Sequence, residues 1–185
     1  MRIISGKNKG RKIIAPTQLP VRPTTDMAKE SLFNIIRNYV DMDQISTLDL
    51  FAGTGNISYE FASRGCTSIV SVDLNFKCTT FIRQTAEKLN FTNLQVIQSD
   101  YKLFLNRTKH SWDLIFADPP YDMPNIAEIP DLIFGNNCVN NNGWLIIEHD
   151  KKQDFSKHFA FYEQRTYGRV NFSFFNKQTT VRKFN

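Results

Sequence analysis

The chain of 185 residues has few cysteines and no long apolar run. Cys66, Cys78 and Cys138 are an odd number at wide spacing, which predicts neither a disulfide framework nor a metal site. No apolar stretch approaches the roughly 20 residues of a membrane-spanning helix. The first residues contain no apolar core of a signal peptide. We therefore expect a cytoplasmic protein that uses no membrane and no metal.

The first 25 residues also lack acidic side chains, although they carry six Lys or Arg. The last 35 residues have a net charge of +6, whereas residues 26–150 have a net charge of −7. Clustered bases at both ends, around an acidic centre, are typical of a protein that contacts a phosphate backbone. Two solvated basic tails are the alternative interpretation.

Alternating strand and helix patterns predict one α/β domain built on a parallel sheet. The predicted strands cover residues 46–51, 67–72, 94–98, 112–117 and 144–148. The predicted helices begin near residue 26 and cover residues 57–64, 76–89, 101–107 and 126–134. Residues 159–166 and 170–175 predict an antiparallel hairpin at one sheet edge, and residues 2–14 predict another hairpin. The asparagine-rich run 136–143 predicts a polar loop.

A glycine turn follows the first strand of this pattern. Gly53 and Gly55 permit a tight turn and close backbone approach by a ligand. Asp73 and Asp100 end the next two strands, where acids can bind ribose hydroxyls and an adenine amine. A dinucleotide site would place a third glycine at Ser58, so S-adenosylmethionine (SAM), which has no phosphate, is the better fit. A structural strand-to-helix turn is the alternative.

The stretch Asp118-Pro119-Pro120-Tyr121 follows an apolar strand, where ligand sites of open α/β sheets lie. The Asp118 carboxylate and the Pro119 carbonyl could accept both hydrogens of a base amine and orient its lone pair. Tyr121 could stack on a base that has left its helix. The sequence therefore predicts methyl transfer from SAM to an amino group of a nucleic-acid base.

The motifs resemble those of the bacterial 16S ribosomal RNA guanine-N2-methyltransferases of the RsmD type. The glycine turn (DLFAGTG) and the DPPY stretch match the two signatures of amino-methyltransferases. Further similarities run in order along the chain: RIISG (2–6), KGRK (9–12), RPTTD (22–26), KESLFN (29–34), SRG (63–65) and the Tyr167-Gly168 turn. The resemblance covers residues 2 to about 175.

This resemblance implies a Rossmann-like SAM-dependent methyltransferase fold with a seven-stranded, mostly parallel sheet and an antiparallel last strand. It implies SAM as donor and a guanine of 16S rRNA, family target guanine 966, as acceptor. Naked rRNA and an assembling or assembled 30S particle both stay open as the substrate, and the small size of the domain favours the particle. It divides the chain into a basic hairpin and extended arm, 1–25, and a methyltransferase domain, 26–185. Ser58, where the family commonly has glycine, and Asp73, where it often has glutamate, are departures.

The candidate site residues, taken from the motifs, the charge pattern and the resemblance, form three groups. The catalytic group is Asp118, Pro119, Pro120 and Tyr121. The cofactor group is Asp49, Phe51, Gly53, Gly55, Asp73 and Asp100. The substrate group is Lys9, Arg11, Lys12, Arg22 and Thr24.

Two other functions are compatible with the same motifs. A DNA adenine-N6 methyltransferase uses a similar loop, but such enzymes usually carry an additional recognition region for which this chain has no spare segment. A non-catalytic RNA-binding or assembly factor could retain the fold, although the intact Gly53, Asp73 and Asp118 argue against it.

Overall fold

The structure is a computed structural model that describes residues 1–16, 19 and 26–177. Its strands are β1 (Ser46–Leu50), β2 (Ser68–Asp73), β3 (Leu94–Gln98), β4 (Trp112–Ala117), β5 (Val139–His149), β6 (Phe161–Tyr167) and β7 (Val170–Phe175). Its helices are α1 (Asp26–Ile36), α2 (Asn56–Ser63), α3 (Phe76–Lys88), α4 (Tyr101–Arg107) and α5 (Ile129–Gly135). The strands form one sheet in the order β3-β2-β1-β4-β5-β7-β6. The predicted Rossmann-like methyltransferase fold is confirmed.

The chain forms two compact units, and the first is Met1–Tyr101. Its strands β1, β2 and β3 pair in parallel, with Leu48 opposite Val70 and Val70 opposite Gln95. Leu48 and Leu50 of β1 are buried, as are Ile69, Val70 and Val72 of β2, which suits strands covered on both faces. Asn75 caps the N-terminus of helix α3, because its side chain accepts hydrogen bonds from the backbone amides of Lys77 and Cys78.

The predicted N-terminal hairpin is present in the same unit. Arg2 and Lys12 form an antiparallel bridge, and the amide of Ile3 donates to the carbonyl of Arg11 at 3.0 Å. Gly6 has φ +81°, and a Cβ atom there would lie 1.8 Å from the carbonyl oxygen of Ser63. No side chain fits at this position, so the hairpin rests directly on the backbone at the end of α2.

The second unit is Lys102–Asn185. Strand β4 runs parallel to β5, whereas β7 is antiparallel to both β5 and β6. The turn between β6 and β7 contains Gly168 with φ 62°, which agrees with the predicted hairpin. Phe172, Phe174 and Phe175 of β7 are fully buried and fill the core of this unit.

Two local expectations in the second unit were wrong. The asparagine-rich run belongs to β5, because Trp112 pairs with Val139 before the register shifts and Asn140 donates to Asp113 at 2.6 Å. Amide side chains that pair along neighbouring strands make a polar sequence compatible with a strand. The helix expected over 126–134 is divided into a 3-10 turn and α5, because Pro130, which has no N–H, lies in the first turn of α5.

All three cysteine side chains are buried and unpaired. Burial raises the pKa of Cys66 to about 12 and the pKa of Cys78 and Cys138 to about 11. No helix within the described ranges is long and apolar enough to cross a membrane. The same residues contain no cluster of His, Cys, Asp or Glu that could hold a metal ion.

Candidate active site

The glycine turn between β1 and α2 has a left-handed backbone at three positions. Phe51, Gly53 and Gly55 have φ values of 68°, 55° and 78°. Such angles strain a residue with a side chain, so Phe51 marks a conformation that the surroundings impose. A Cβ atom on Gly55 would lie 2.8 to 2.9 Å from the side chains of Tyr59 and Ile82. The turn is therefore too tight for a side chain at position 55.

Asp73 links the end of β2 to this turn. One carboxylate oxygen accepts from the amide of Gly53 at 2.7 Å, and the other accepts from the amide of Asn75 at 2.7 Å. The side chain remains half-buried, and desolvation raises its pKa. Sequence reasoning brought Gly53 and Asp73 together as cofactor residues, and the structure joins them directly. The predicted contact of Asp73 with a ribose stays a prediction.

Asp49, on β1 just before the turn, is hydrogen-bonded to Ser58, the residue that departs from the glycine pattern. The buried Asp49 carboxylate accepts from the backbone amide of Ser58 at 3.0 Å and from its hydroxyl. The Ser58 hydroxyl also contacts the hydroxyl of Ser71 at 2.5 Å. Burial raises the pKa of Asp49 to about 7, against the opposing effect of the Ser58 hydrogen bonds. The departure from glycine at position 58 thus anchors the start of α2 to β1 and β2.

Asp100 and Phe51 lie at the remaining predicted cofactor positions. Asp100 is exposed after the end of β3, immediately before α4. The ring of Phe51 packs against the ring of Tyr101 with centroids 4.9 Å apart. Tyr101, which follows Asp100 in the chain, thus packs on the residue that begins the glycine turn. The adenine contact of Asp100 stays a prediction.

The Asp118–Tyr121 stretch follows β4 as a stiff, partly exposed loop. Asp118 is half-buried, Pro119 is buried and Pro120 is exposed. The loop is closed by a turn in which the amide of Met123 donates to the carbonyl of Pro120 at 2.9 Å. The Tyr121 side chain is 42% exposed, so its ring is available to a flat ligand. The contact of Asp118, Pro119 and Tyr121 with a base stays a prediction.

Glu148, at the end of β5, is a site residue that sequence reasoning left out. Its side chain is only 5% exposed, and its Oε1 accepts a hydrogen bond from the Tyr121 hydroxyl at 3.1 Å. The other oxygen, Oε2, is buried without a hydrogen-bond partner among the residues that the structure describes. Burial raises the pKa of Glu148 to about 7. The sequence signal that could have identified Glu148 is its place directly after the apolar run 144–147, at the carboxyl end of a predicted strand.

The N-terminal hairpin is fixed to α2 by a second buried glutamate. Glu60 accepts from the amides of Ile4 and Ser5 at 2.8 and 3.0 Å. It also pairs with Arg64 at 2.8 Å and with the buried Lys29 at 3.5 Å. This network was not predicted, because a Lys and a Glu at these helical positions are usually solvent-exposed.

The predicted substrate residues of the hairpin point to solvent. Lys9, Arg11 and Lys12 are all exposed, on a segment whose backbone is held by Glu60. This arrangement suits contact with phosphates, since the charges are free while their support is rigid. Arg22 and Thr24, with most of the predicted extended arm, lie outside the described residues.

Comparisons with known proteins agree with this geometry. The family described as conserved hypothetical protein 95 matches residues 1–176. "Putative rRNA methyltransferase YlbH" of Bacillus subtilis is 32% identical over 96% of this chain and 100% of its own length. "Ribosomal RNA small subunit methyltransferase D" of Buchnera aphidicola (subspecies Baizongia pistaciae) is 33% identical over 81% of this chain and 76% of its own.

A solved structure shows the same fold. "Putative methyltransferase yhhF" from Escherichia coli superposes with a TM-score of 0.83 at 24% identity, covering 95% of this chain and 96% of that one. This likeness establishes the Rossmann-like architecture, and the sequence relatives establish the family.

Proposed function

Because the chain belongs to the RsmD-type family described as conserved hypothetical protein 95, we propose that it methylates a guanine of 16S rRNA at the exocyclic N2 amine, with SAM as donor. Methyltransferase activity is the property that these relatives share in name. The observation that carries the finer proposal is the loop after β4, where a half-buried Asp118 and an exposed Tyr121 ring flank a rigid proline pair. The family target, guanine 966, is the proposed nucleotide.

The donor half of the reaction belongs to the first unit. SAM, which has no phosphate, suits the glycine turn because three of the turn's amides already have acceptors inside the protein. The amides of Ala52, Gly53 and Gly55 donate to Val72, Asp73 and Ala52 respectively. When bound, SAM supplies an electrophilic methyl group on a sulfonium. We assign Asp73 to its ribose and Asp100 to its adenine, and we keep Asp49, Phe51, Gly53 and Gly55 as the other residues of the proposed cofactor site.

The acceptor half belongs to the loop after β4. The Asp118 carboxylate and the Pro119 carbonyl accept the two amine hydrogens, which directs the nitrogen lone pair out of the ring plane. They also stabilise the positive charge that develops on nitrogen as the N–CH3 bond forms. Tyr121 stacks on the base after it has left its helix. Asp118 then accepts the proton that the methylated amine loses, so that the product is neutral.

RNA binding is assigned to the basic N-terminal segment. Lys9, Arg11 and Lys12 contact phosphates, and Arg22 and Thr24 extend this contact along the arm. We propose the division into a hairpin and arm, 1–25, and a methyltransferase domain, 26–185. We propose rRNA within a 30S particle in the cytoplasm as substrate, since exposed bases on a rigidly held hairpin suit the phosphates of a folded RNA.

Incubation with labelled SAM and 30S particles that lack the modification tests this proposal. We expect label on N2 of one guanine of 16S rRNA. A parallel incubation contains DNA in place of the particles. Label on adenine N6 of that DNA, with none in rRNA, would favour the DNA methyltransferase instead. Absence of SAM binding by calorimetry would favour a non-catalytic RNA-binding factor.

Asp118→Ala tests the assignment of the loop. We expect a fall in kcat of at least about 10²-fold, the size expected for one polar group that stabilises a transition state, with SAM affinity unchanged. Asp122→Ala, at an exposed acid of the same loop, is the matched control and should remain active. Loss of SAM affinity in Asp118→Ala would mean that the loop has been assigned to the wrong ligand.

A further inference from the structure

Glu148 carries an acceptor oxygen that has no hydrogen-bond partner among the residues that the structure describes. Buried carboxylate oxygens in folded proteins nearly always receive a hydrogen bond, yet Oε2 of Glu148 receives none from the described part of the chain. An unsatisfied buried acceptor lowers stability by about 1–3 kcal/mol. Glu148 lies at a strand end beside the proposed base-binding loop, where ligands bind in such sheets. We therefore consider that its Oε2 receives a hydrogen bond from the ligand.

Tyr121 joins this acceptor to the loop that holds the base. Its hydroxyl donates to Oε1 of Glu148 at 3.1 Å, while 42% of its side chain faces solvent. Burial and the negative charges of Glu148, Asp118 and Asp150 all raise the pKa of Tyr121. The surroundings of this ring are therefore rich in acceptors, and they favour a ligand edge that presents N–H groups.

Guanine presents two kinds of N–H on one edge. Its N1–H lies next to the N2 amine, whereas adenine has a bare acceptor nitrogen at N1. If Asp118 and the Pro119 carbonyl take both hydrogens of the amine, one donor remains on that edge. A second carboxylate close to the same loop is the group that N1–H requires.

We propose that Glu148 is the specificity-determining residue that accepts N1–H of the target guanine at Oε2, the oxygen that lacks a donor while the Tyr121 hydroxyl donates to Oε1 in the free protein. On base entry Tyr121 leaves Glu148 to stack on the ring, which uncovers the carboxylate. Adenine would place a lone pair against this carboxylate and is rejected. This inference rests on the proposed function, since it names how the same site recognises its base.

The test compares two acceptor bases in the same RNA. Small-subunit rRNA is ligated from pieces that carry either guanine or 2-aminopurine at the position that the wild-type protein methylates. 2-Aminopurine keeps the amine but has no N1–H and no O6. We expect the wild-type protein to prefer guanine in kcat/KM by at least about 10- to 100-fold, the range of one hydrogen bond to a charged group.

Glu148→Gln isolates the contribution of this residue. Its amide group can donate to the bare N1 of 2-aminopurine, so we expect the preference for guanine to shrink by about tenfold or more. Glu163→Gln, the same change on β6 at a carboxylate paired with Arg165, should leave the preference at the wild-type value. SAM affinity, measured by calorimetry, should be the same in all three proteins and shows that each is folded.

Equal losses on both bases in Glu148→Gln would overturn the inference, because the residue would then not distinguish N1–H. This result differs from failure of the proposed function, in which the wild-type protein itself would transfer no methyl group to any guanine of the rRNA.

Discussion

Two buried glutamates, one in each compact unit, have opposite hydrogen-bonding states. Glu60 is fully buried, and both of its oxygens are engaged by backbone amides, Arg64 and Lys29. Glu148 is almost as deeply buried, yet one of its oxygens has no partner among the described residues and the other has only Tyr121. The first carboxylate fastens a hairpin to a helix, whereas the second retains capacity for a ligand. Two acids that are buried to a similar extent can therefore differ in their remaining capacity to accept hydrogen bonds, and our proposal for Glu148 rests on that difference.

The largest effect on stability is expected at Glu60. Glu60→Gln places an NH2 group against donors that need an acceptor and leaves Lys29 buried beside a neutral group. Breaking a buried ion pair in this way lowers the free energy of unfolding by about 3–5 kcal/mol. Urea denaturation measures the loss. Glu163→Gln is the control, with an expected change of about 0–1 kcal/mol for its more exposed pair. Equal stability of Glu60→Gln and the wild-type protein would show that the network does not hold the hairpin.

A smaller effect on stability is expected at Glu148, where replacing the glutamate should raise the stability relative to wild type as the pH increases. Burial raises its pKa from 4.5 to about 7, so its proton stabilises the fold at acidic pH. That contribution is complete below pH 4.5 and is lost as the pH rises through 7. Glu148→Gln carries no charge, so its stability relative to wild type should increase between pH 5.5 and pH 8.5 by about 2 kcal/mol. Denaturation at both pH values measures this difference, and Glu163→Gln corrects for effects of pH elsewhere. A constant difference would mean that the Glu148 charge is not desolvated.

The smallest effect on stability is expected at the exposed face of the hairpin that Glu60 anchors. Replacing Lys9, Arg11 and Lys12 together with Gln should change the free energy of unfolding by less than about 0.5 kcal/mol. The slope of log affinity for rRNA against log salt concentration should fall by about 2 to 3, because three phosphate contacts are lost. Gln at Lys88, Arg107 and Lys109, three exposed bases of the acidic middle segment, removes the same charge and should leave the slope nearly intact. Similar slopes for both variants would remove the hairpin from the RNA contact.

The order of the elements could be predicted from sequence because it depends on short-range patterns. Alternating apolar strands and amphipathic helices gave β1 to β4 within one or two residues, and the glycines at 53 and 55 located the turn. The start of β5 was missed because its asparagines are strand residues only when a partner such as Asp113 lies beside them. The composition of a segment does not show which distant residues lie beside it in the folded chain, so this part of β5 could not be predicted.

Candidate site residues that belong to a sequence motif could be predicted, whereas those that depend on contacts in the folded chain could not. Asp118 and Tyr121 belong to a recognisable tetrapeptide, whereas Glu148 is one acid at the end of one strand. Its importance follows from burial and from the hydroxyl of Tyr121, 27 positions earlier in the chain. Ser58, a departure from the glycine pattern, gains its meaning in the same way from its bonds to Asp49 and Ser71.

The three buried thiols make this protein convenient for cross-linking. A thiol reacts as its thiolate, and with pKa values of about 11 to 12 and no access from solvent, the native cysteines should remain inert near neutral pH. A cysteine introduced at Lys9 would then be the single reactive position on the wild-type background. A probe attached there could map which rRNA nucleotides approach the hairpin, without first engineering away any native residue.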